Sequence, residues 1–218
     1  MITTVLFDLD GTIIDTNELI ISTFMHVLGR HFPEEPYTRE RIIPHMGTTL
    51  EQQFRVFSGK EDVAELIKDY RTYNNAQHDA MVREFPHVNE VISKLHQRGI
   101  HLGVVTTKIR PTTMRALEMF GLLKYMETIV TVQDVEHPKP HPEPVLMAIS
   151  KLNVDPESTL MVGDSAADIQ SANAAGVKSA AVAWSLKGVE VLSKYNPDYI
   201  LHDMRDIYRV LGWEPEKK

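Results

Sequence analysis

Cysteine is absent from the 218 residues. Its absence removes disulfides, thiolate metal ligands and a cysteine nucleophile; it is compatible with a reducing compartment without proving one. Long apolar runs are missing too. No stretch approaches the roughly 20 residues that a spanning helix needs, and no signal-peptide pattern precedes the first apolar run. A soluble cytoplasmic protein with no membrane partner is therefore expected. The third absence is a block of lysine and arginine. Duplex-binding surfaces show a basic patch, and this chain has a formal net charge of −7 from 23 basic and 30 acidic residues, so no nucleic acid is expected as partner. An acidic chain still binds a polyanion where a metal and a few local cations reverse the sign. Repeats, low-complexity tracts and long polar linkers are lacking as well. A chain of this size buries roughly 70% or more of its unfolded surface, so it needs no staple.

What is present begins with Val5-Leu6-Phe7-Asp8-Leu9-Asp10-Gly11-Thr12. The apolar run Val5–Phe7 has the length of a buried strand, and it ends in two carboxylates, a glycine and a threonine. Open α/β sheets bind ligands at the carboxyl ends of their strands. Asp8 and Asp10 are near enough in sequence to share one hard cation, and Mg²⁺ accepts one or two protein carboxylates plus phosphate oxygens. The Thr12 hydroxyl is within reach of a phosphate, and a carboxylate at such a site serves as a nucleophile. Asp-x-Asp alone also occurs on solvated loops.

After Thr12 the period changes. Ile20, Phe24, Val27 and Leu28 fall at helical spacing between Asn17 and His31, with Thr16 or Asn17 as cap and Gly29 to Pro33 as a stop. Short helical segments are predicted at Glu40–Ile43 and Leu50–Phe57. A longer one, to about Met81, carries Val63, Leu66, Ile67, Tyr70 and Tyr73. Past Pro86, strands (102–105, 129–132, 160–162, 180–182) alternate with helices, including one with Val145, Leu146, Ile149 and Leu152 inward. Repeated strand–helix units imply a Rossmann-like α/β core, a parallel sheet with helices on both faces. The expected division is a core of residues 1–15 and 83–218 and an inserted all-helical cap domain of residues 16–82, hinged near Ile13–Thr16 and Met81–Pro86.

Three later stretches supply partners for the first. Thr106 ends a strand, so its hydroxyl and the backbone N–H groups after it, from Thr107 on, face the same crevice as Asp8. Lys139 stands in His137-Pro138-Lys139-Pro140-His141-Pro142, where prolines restrict the backbone on either side. A fixed ammonium there neutralises an aspartate and a transferring phosphoryl group. His137 and His141 fit no strong ligand motif and are read as loop residues. In Gly163-Asp164-Ser165-Ala166-Ala167-Asp168, Asp164 completes a cation site. Asp168, one helical turn on, reaches the metal shell or Lys139, or caps the helix. A competing reading makes Ser165 an esterase nucleophile, but Asp198 and His202 are spaced by one residue too many for its partner dyad.

The four motifs, in this order on successive strand ends, resemble the haloacid dehalogenase superfamily of phosphotransferases. The resemblance spans the chain, and residues 16–82 look like its small helical cap. It implies Asp8 as nucleophile, Asp10 as general acid/base and Thr106 and Lys139 on the phosphoryl group. It further implies Mg²⁺ on Asp8, Asp164 and the Asp10 carbonyl. The second aspartate of Asp8-Leu9-Asp10 favours the phosphatase branch over the dehalogenases. Thr16–Ile20, Gln77-His78-Asp79, Val105–Arg110, Val135-Glu136-His137 and Val182-Ala183-Trp184 are similar, more narrowly, to the inorganic pyrophosphatases of that superfamily. That similarity implies hydrolysis of pyrophosphate, including pyrophosphate released when serine-phosphorylated HPr of the sugar-transport system is dephosphorylated. Met46-Gly47-Thr48-Thr49-Leu50 departs from the family version, in which prolines replace the threonines. On this reading His45, Thr48, Thr49 and Gln53 from the cap and Lys108 from the core face the substrate. A 2-phosphoglycolate phosphatase and a non-catalytic regulatory protein on the same fold remain as alternatives.

Overall fold

The computed structural model describes residues 1–213. In chain order the elements are β1 (Thr4–Phe7), β2 (Ile14–Asp15), α1 (Asn17–His31), α2 (Arg39–Ile42), α3 (Leu50–Ser58), α4 (Ala64–Met81), β3 (Arg83–Glu84), α5 (Val88–Gln97) and β4 (His101–Val105). Then come α6 (Arg110–Met119), β5 (Thr128–Val130), α7 (Glu143–Leu152), β6 (Thr159–Gly163), α8 (Ala166–Ala175), β7 (Lys178–Val182), α9 (Val189–Leu192), β8 (Tyr199–Leu201) and α10 (Asp206–Val210).

Six strands form a parallel sheet in the order β5-β4-β1-β6-β7-β8. Strand alternation explains its two buried faces. Val5, Phe7, Leu102, Val104, Leu160 and Val162 point to one side and meet Val91 and Leu95 of α5. Leu6, Val105 and Met161 point to the other and meet Val145 and Ile149 of α7 and Ala172 of α8. The chain leaves β1 toward β4 and β5, then returns to β1's other side with β6. The crevice at the carboxyl end of β1 is thus the sheet's topological switch point, where such sheets bind ligands.

Helices α1 to α4 hold an apolar cluster of their own, centred on Phe24, whose ring lies 5.0 Å from Phe54 and 4.8 Å from Tyr70. The two chain crossings into and out of these helices are tied to each other. Ile14 and Asp15 pair antiparallel with Glu84 and Arg83, a two-stranded ladder that periodicity alone did not predict because each strand has only two residues.

Other expectations need correcting. Helix α1 ends at His31, inside the expected stop, but Thr16 precedes it without a side-chain cap. The third expected strand stops at Val130; Thr131 and Asp134 cap each other around a 3₁₀ turn that takes Val132 out of the sheet. In α7, Leu146 faces solvent and Ala148 takes the inward position between Val145 and Ile149. No helix among the described residues is long and apolar enough to cross a membrane.

Candidate active site

Asp8 follows β1 directly and is 6% exposed. Its Oδ1 accepts from Lys139 Nζ at 2.7 Å. Lys139 itself is 1% exposed, at the end of a proline-braced loop between β5 and α7. An ammonium has three donors, and a buried one needs an acceptor for each. Lys139 finds them in Asp8, in the Val105 carbonyl at 2.8 Å and in Asp168. The acceptors come from the ends of β1 and β4 and the first turn of α8, so folding of the sheet assembles the group. Burial alone would depress the Lys139 ammonium, but the carboxylates of Asp168 and Asp8 outweigh it and hold its pKa above the ordinary lysine value.

Asp168 serves both roles the sequence allowed. One oxygen takes Lys139, and the other accepts from the Ser165 amide at 3.0 Å and hydroxyl at 2.6 Å, closing a capping box at the start of α8. The nucleophilic-serine alternative loses its geometry here. The Ser165 hydroxyl is tied to Asp168, while Asp198 is occupied by Lys178 at 2.7 Å and the Ser179 amide at 2.9 Å.

Asp164, 4% exposed, accepts from Lys187 Nζ at 2.9 Å, and its carbonyl takes the Ser185 hydroxyl at 2.7 Å. Gly11 makes room for it. With φ of +80°, it turns the chain away from β1, and a Cβ there would come 2.8 Å from Asp164 Oδ2. Asp8, Asp164 and Asp168 each bring a ligating oxygen within 4.8 Å of the other two. Burial pushes the Asp8 carboxyl up to about 8; Lys139 opposes this, and the charges of Asp168 and Asp164 add to it. Burial raises Asp164 as well, against the pull of Lys187. Three buried carboxylates that repel one another fit a hard divalent cation, the kind of charge that favours their ionised forms. Asp10 is not in that set by its side chain. Its carboxylate turns to Lys108, whose Nζ lies 3.0 and 3.1 Å from the two oxygens.

A cavity of about 490 Å³ opens above these groups. Asp8, Asp10, Asp164, Thr106, Thr107 and Lys108 wall it on the strand side. Thr48, Thr49, Gln53, Tyr70, Arg71 and Asn74 wall it on the helical side. Thr106 presents a buried hydroxyl that accepts from the Lys108 amide at 3.2 Å.

The expected substrate-facing residues separate on inspection. Thr48 donates to the His45 carbonyl, the Thr49 hydroxyl accepts from the Gln52 amide as the cap of α3, and Gln53 Nε2 donates to the Thr48 carbonyl. Gln53 Oε1 is buried with no partner. His45 lies elsewhere: it is exposed, its ring edge meets Phe57 at 5.3 Å, and it is outside the cavity wall. Thr12 is also outside that wall, fully buried with an unpartnered hydroxyl, because the chain turns inward after Gly11.

Two cations escaped the sequence reading. Arg71 lines the cavity with no hydrogen bond or ion pair among the described residues. Its spacing from Ile67 and Asn74, four and three residues along one helix face, was the available signal. Lys187 lies beyond the end of β7, and the strand-end rule that located Thr106 could have located it.

A parallel sheet bearing buried carboxylates and a lysine at its switch point defines a class, and the sequence matches it. Residues 5–182 fit the model of the haloacid dehalogenase-like hydrolases, and the chain belongs to that family, an enzyme acting on phosphate esters or anhydrides. More particularly, it is 48% identical over 213 residues to pyrophosphatase PpaX of Bacillus pumilus and 46% identical over 211 residues to pyrophosphatase PpaX of Anoxybacillus flavithermus, covering 97% of each chain in both cases. A haloacid dehalogenase-like protein from Bacteroides fragilis superposes with a TM-score of 0.85 at 30% identity, over 95% of this chain and 100% of its own. A haloacid dehalogenase-like family hydrolase from Streptococcus pneumoniae, at 24% identity and a TM-score of 0.83 over 96% and 98% of the two chains, shares the fold.

Proposed function

We propose that the chain hydrolyses inorganic pyrophosphate to phosphate through an aspartyl-phosphate on Asp8, with Mg²⁺ as cofactor. The observation that carries the chemistry is the Asp8–Lys139 pair: a nucleophilic oxygen bonded at 2.7 Å to a buried ammonium, open to a cavity. The relatives named pyrophosphatase, nearly half identical over almost their whole length, support the choice of substrate.

In the first displacement an Asp8 oxygen forms a bond to phosphorus as the bridging P–O bond breaks, and Lys139 offsets the charge that gathers on the transferring group. Asp10 gives a proton to the departing phosphate, with Lys108 holding its carboxylate in place. In the second, Asp10 takes a proton from water as that water attacks the aspartyl-phosphate, freeing phosphate and the Asp8 carboxylate. Asp8 and Asp164, with the Asp10 main-chain carbonyl and Asp168 behind them, would hold Mg²⁺, which when bound neutralises phosphoryl oxygens. Thr106 and the amides after it steady the oxygens on the sheet side.

Residues 16–82 act as a cap on this reading, and the β2–β3 ladder joins its two linkers into one hinge. Gly47 supports a seated cap: with φ of +103°, it passes so close to the core that a Cβ would meet Ser165 Oγ at 2.8 Å. Arg71 is then the cap's free cation for the second phosphate, whose hydration would otherwise be lost uncompensated.

A second reading has its own observation. Ile20, Met46, Leu50 and Ile67 also line the cavity, and an apolar strip suits a phosphomonoester with a carbon skeleton; 2-phosphoglycolate, with a single methylene, is the smallest competitor of that class. Hydrolysis of the two substrates side by side in Mg²⁺ decides between them. A higher kcat/KM for pyrophosphate is expected; preference for phosphoglycolate would replace the substrate and leave the chemistry standing.

A further inference from the structure

A second group of ligating atoms lies outside the catalytic cavity. His137, His141 and Glu143 each bring one within 4.8 Å of the other two, and none of the three lines the cavity wall. The sequence had left the histidines as unconnected loop residues. The structure sets their rings 4.7 Å apart, with His137 Nδ1 2.9 Å from Glu143 Oε2.

The backbone that carries them is held firmly. Pro138, Pro140 and Pro142 fix φ at alternate positions. Glu143, the first residue of α7, accepts the amides of Glu136 and His137, both at 2.9 Å, and so closes the loop on itself. Ser171 of α8 donates to the His141 carbonyl at 2.8 Å and anchors the loop's far side. His141 Nδ1 accepts the Glu143 amide at 3.2 Å, which sets the ring's tautomer; an ion bound there takes that lone pair in place of the amide at the exposed start of α7. Two imidazoles and a carboxylate on a fixed loop are at hand, with side-chain exposures of 57% for His137 and 29% for Glu143, so an ion has access from solvent.

We propose that His137, His141 and Glu143 form a binding site for a borderline transition-metal ion of the Zn²⁺ class, separate from the catalytic cation site. At zinc bond lengths of about 2.0–2.2 Å, neighbouring ligands of a tetrahedral ion stand about 3.4 Å apart, so replacing the shared proton of His137 and Glu143 by an ion needs only a small opening. Three protein ligands leave a fourth position for water. The two sites are sorted by ligand chemistry: imidazole suits Zn²⁺, Cu²⁺ and Ni²⁺, whereas the all-oxygen set of Asp8, Asp164 and Asp168 suits Mg²⁺. An ion here braces both ends of the segment that delivers Lys139, and binding to the native state alone raises its stability.

The test uses the full-length protein in saturating Mg²⁺, which occupies the oxygen site. Equilibrium dialysis against Zn²⁺ should retain one equivalent on the wild type, with affinity at least tenfold weaker in the double variant His137→Ala/His141→Ala. Unchanged Mg²⁺-dependent turnover of that variant reports its folding. A measurement that needs no variant is the electron paramagnetic resonance spectrum of one added equivalent of Cu²⁺, in which coupling to imidazole nitrogen is expected. Equal Zn²⁺ retention by wild type and a folded variant, no retained Zn²⁺, or an oxygen-only Cu²⁺ spectrum would each overturn the site.

Discussion

The two walls of the cavity hold their polar groups in opposite ways. On the strand side every donor of Lys139 has an acceptor, and those acceptors are contributed by the ends of two strands and the first turn of α8. On the helical side Thr48 bonds back to the His45 carbonyl, Thr49 caps α3, and Arg71 is left without a side-chain partner among the described residues. A group that must hold one geometry through two displacements is best fixed before substrate arrives. A group that selects the substrate does better unpaired, since it then loses nothing on engaging. On the proposed mechanism, the difference suits chemistry at the strand ends and selection by the helices.

The sharpest attack on that division is Asp8→Asn. It removes the proposed nucleophile while keeping the shape, and a loss of turnover on the order of a thousandfold or more is expected, given how single members of a catalytic unit behave. Steady-state rates on a variant with native circular dichroism measure it. A correctly folded Asp8→Asn retaining a tenth of wild-type activity would sink the covalent mechanism.

Stability should divide along the same line. Lys139→Met leaves Asp8 and Asp168 buried without their countercharge, and breaking such a group costs about 3–5 kcal/mol. Removing the Arg71 side chain breaks no pair and should fall within about 0.5 kcal/mol of wild type. Urea unfolding of the two variants gives the comparison. Equal losses would mean that the strand-end cluster is no more preorganised than the helical wall.

Kinetics sharpen the comparison further. The sequence placed Lys108 on the substrate, but the structure bonds it to both oxygens of Asp10. Lys108→Ala should therefore lower kcat for every substrate, in proportion to its hold on the acid/base. Arg71→Ala should raise KM for pyrophosphate about tenfold, the order of one charged hydrogen bond, and barely change it for a phosphomonoester with a neutral tail. Michaelis–Menten analysis of both variants on both substrates separates the effects. A KM effect confined to Lys108→Ala would reverse the assignment.

The same asymmetry decides what the sequence disclosed. Asp8, Thr106 and Asp164 were legible because each follows a short apolar run, and strand ends in a parallel sheet meet at one place whatever the loops do. Lys139 was legible from its flanking prolines. The helical wall offers no such rule. Arg71 is one of many exposed polar residues on amphipathic helices; its spacing puts it on one face with Ile67 and Asn74, but only the docking of the helices onto the sheet turns that face to the cavity. His45 and Thr49 look alike in sequence as polar residues near a loop. Their separation depends on the start of α3, at Leu50 as expected, and on which side of it faces the cavity, which periodicity does not say.

That boundary gives the smallest expected effect and the most direct check on the helical wall. Thr49 lines the cavity, yet its hydroxyl accepts the Gln52 amide at 3.2 Å, and Gln52 Oε1 accepts the Thr49 amide at 3.2 Å in return. Two of the orphan donors at the start of α3 are thereby satisfied. Accepting that amide uses one lone pair and holds the oxygen on the helix start; the O–H is left to donate, but a neutral hydroxyl adds little beside the Arg71 guanidinium. Thr49→Ala should therefore cost about 1 kcal/mol of stability, as lost caps do, while KM for pyrophosphate stays within twofold of wild type. Thr49→Ser, which keeps the hydroxyl, should recover the stability. Denaturant unfolding and initial rates on the two variants suffice. A severalfold rise in KM for Thr49→Ala with unchanged stability would show that the hydroxyl serves the substrate and that Arg71 does not select alone.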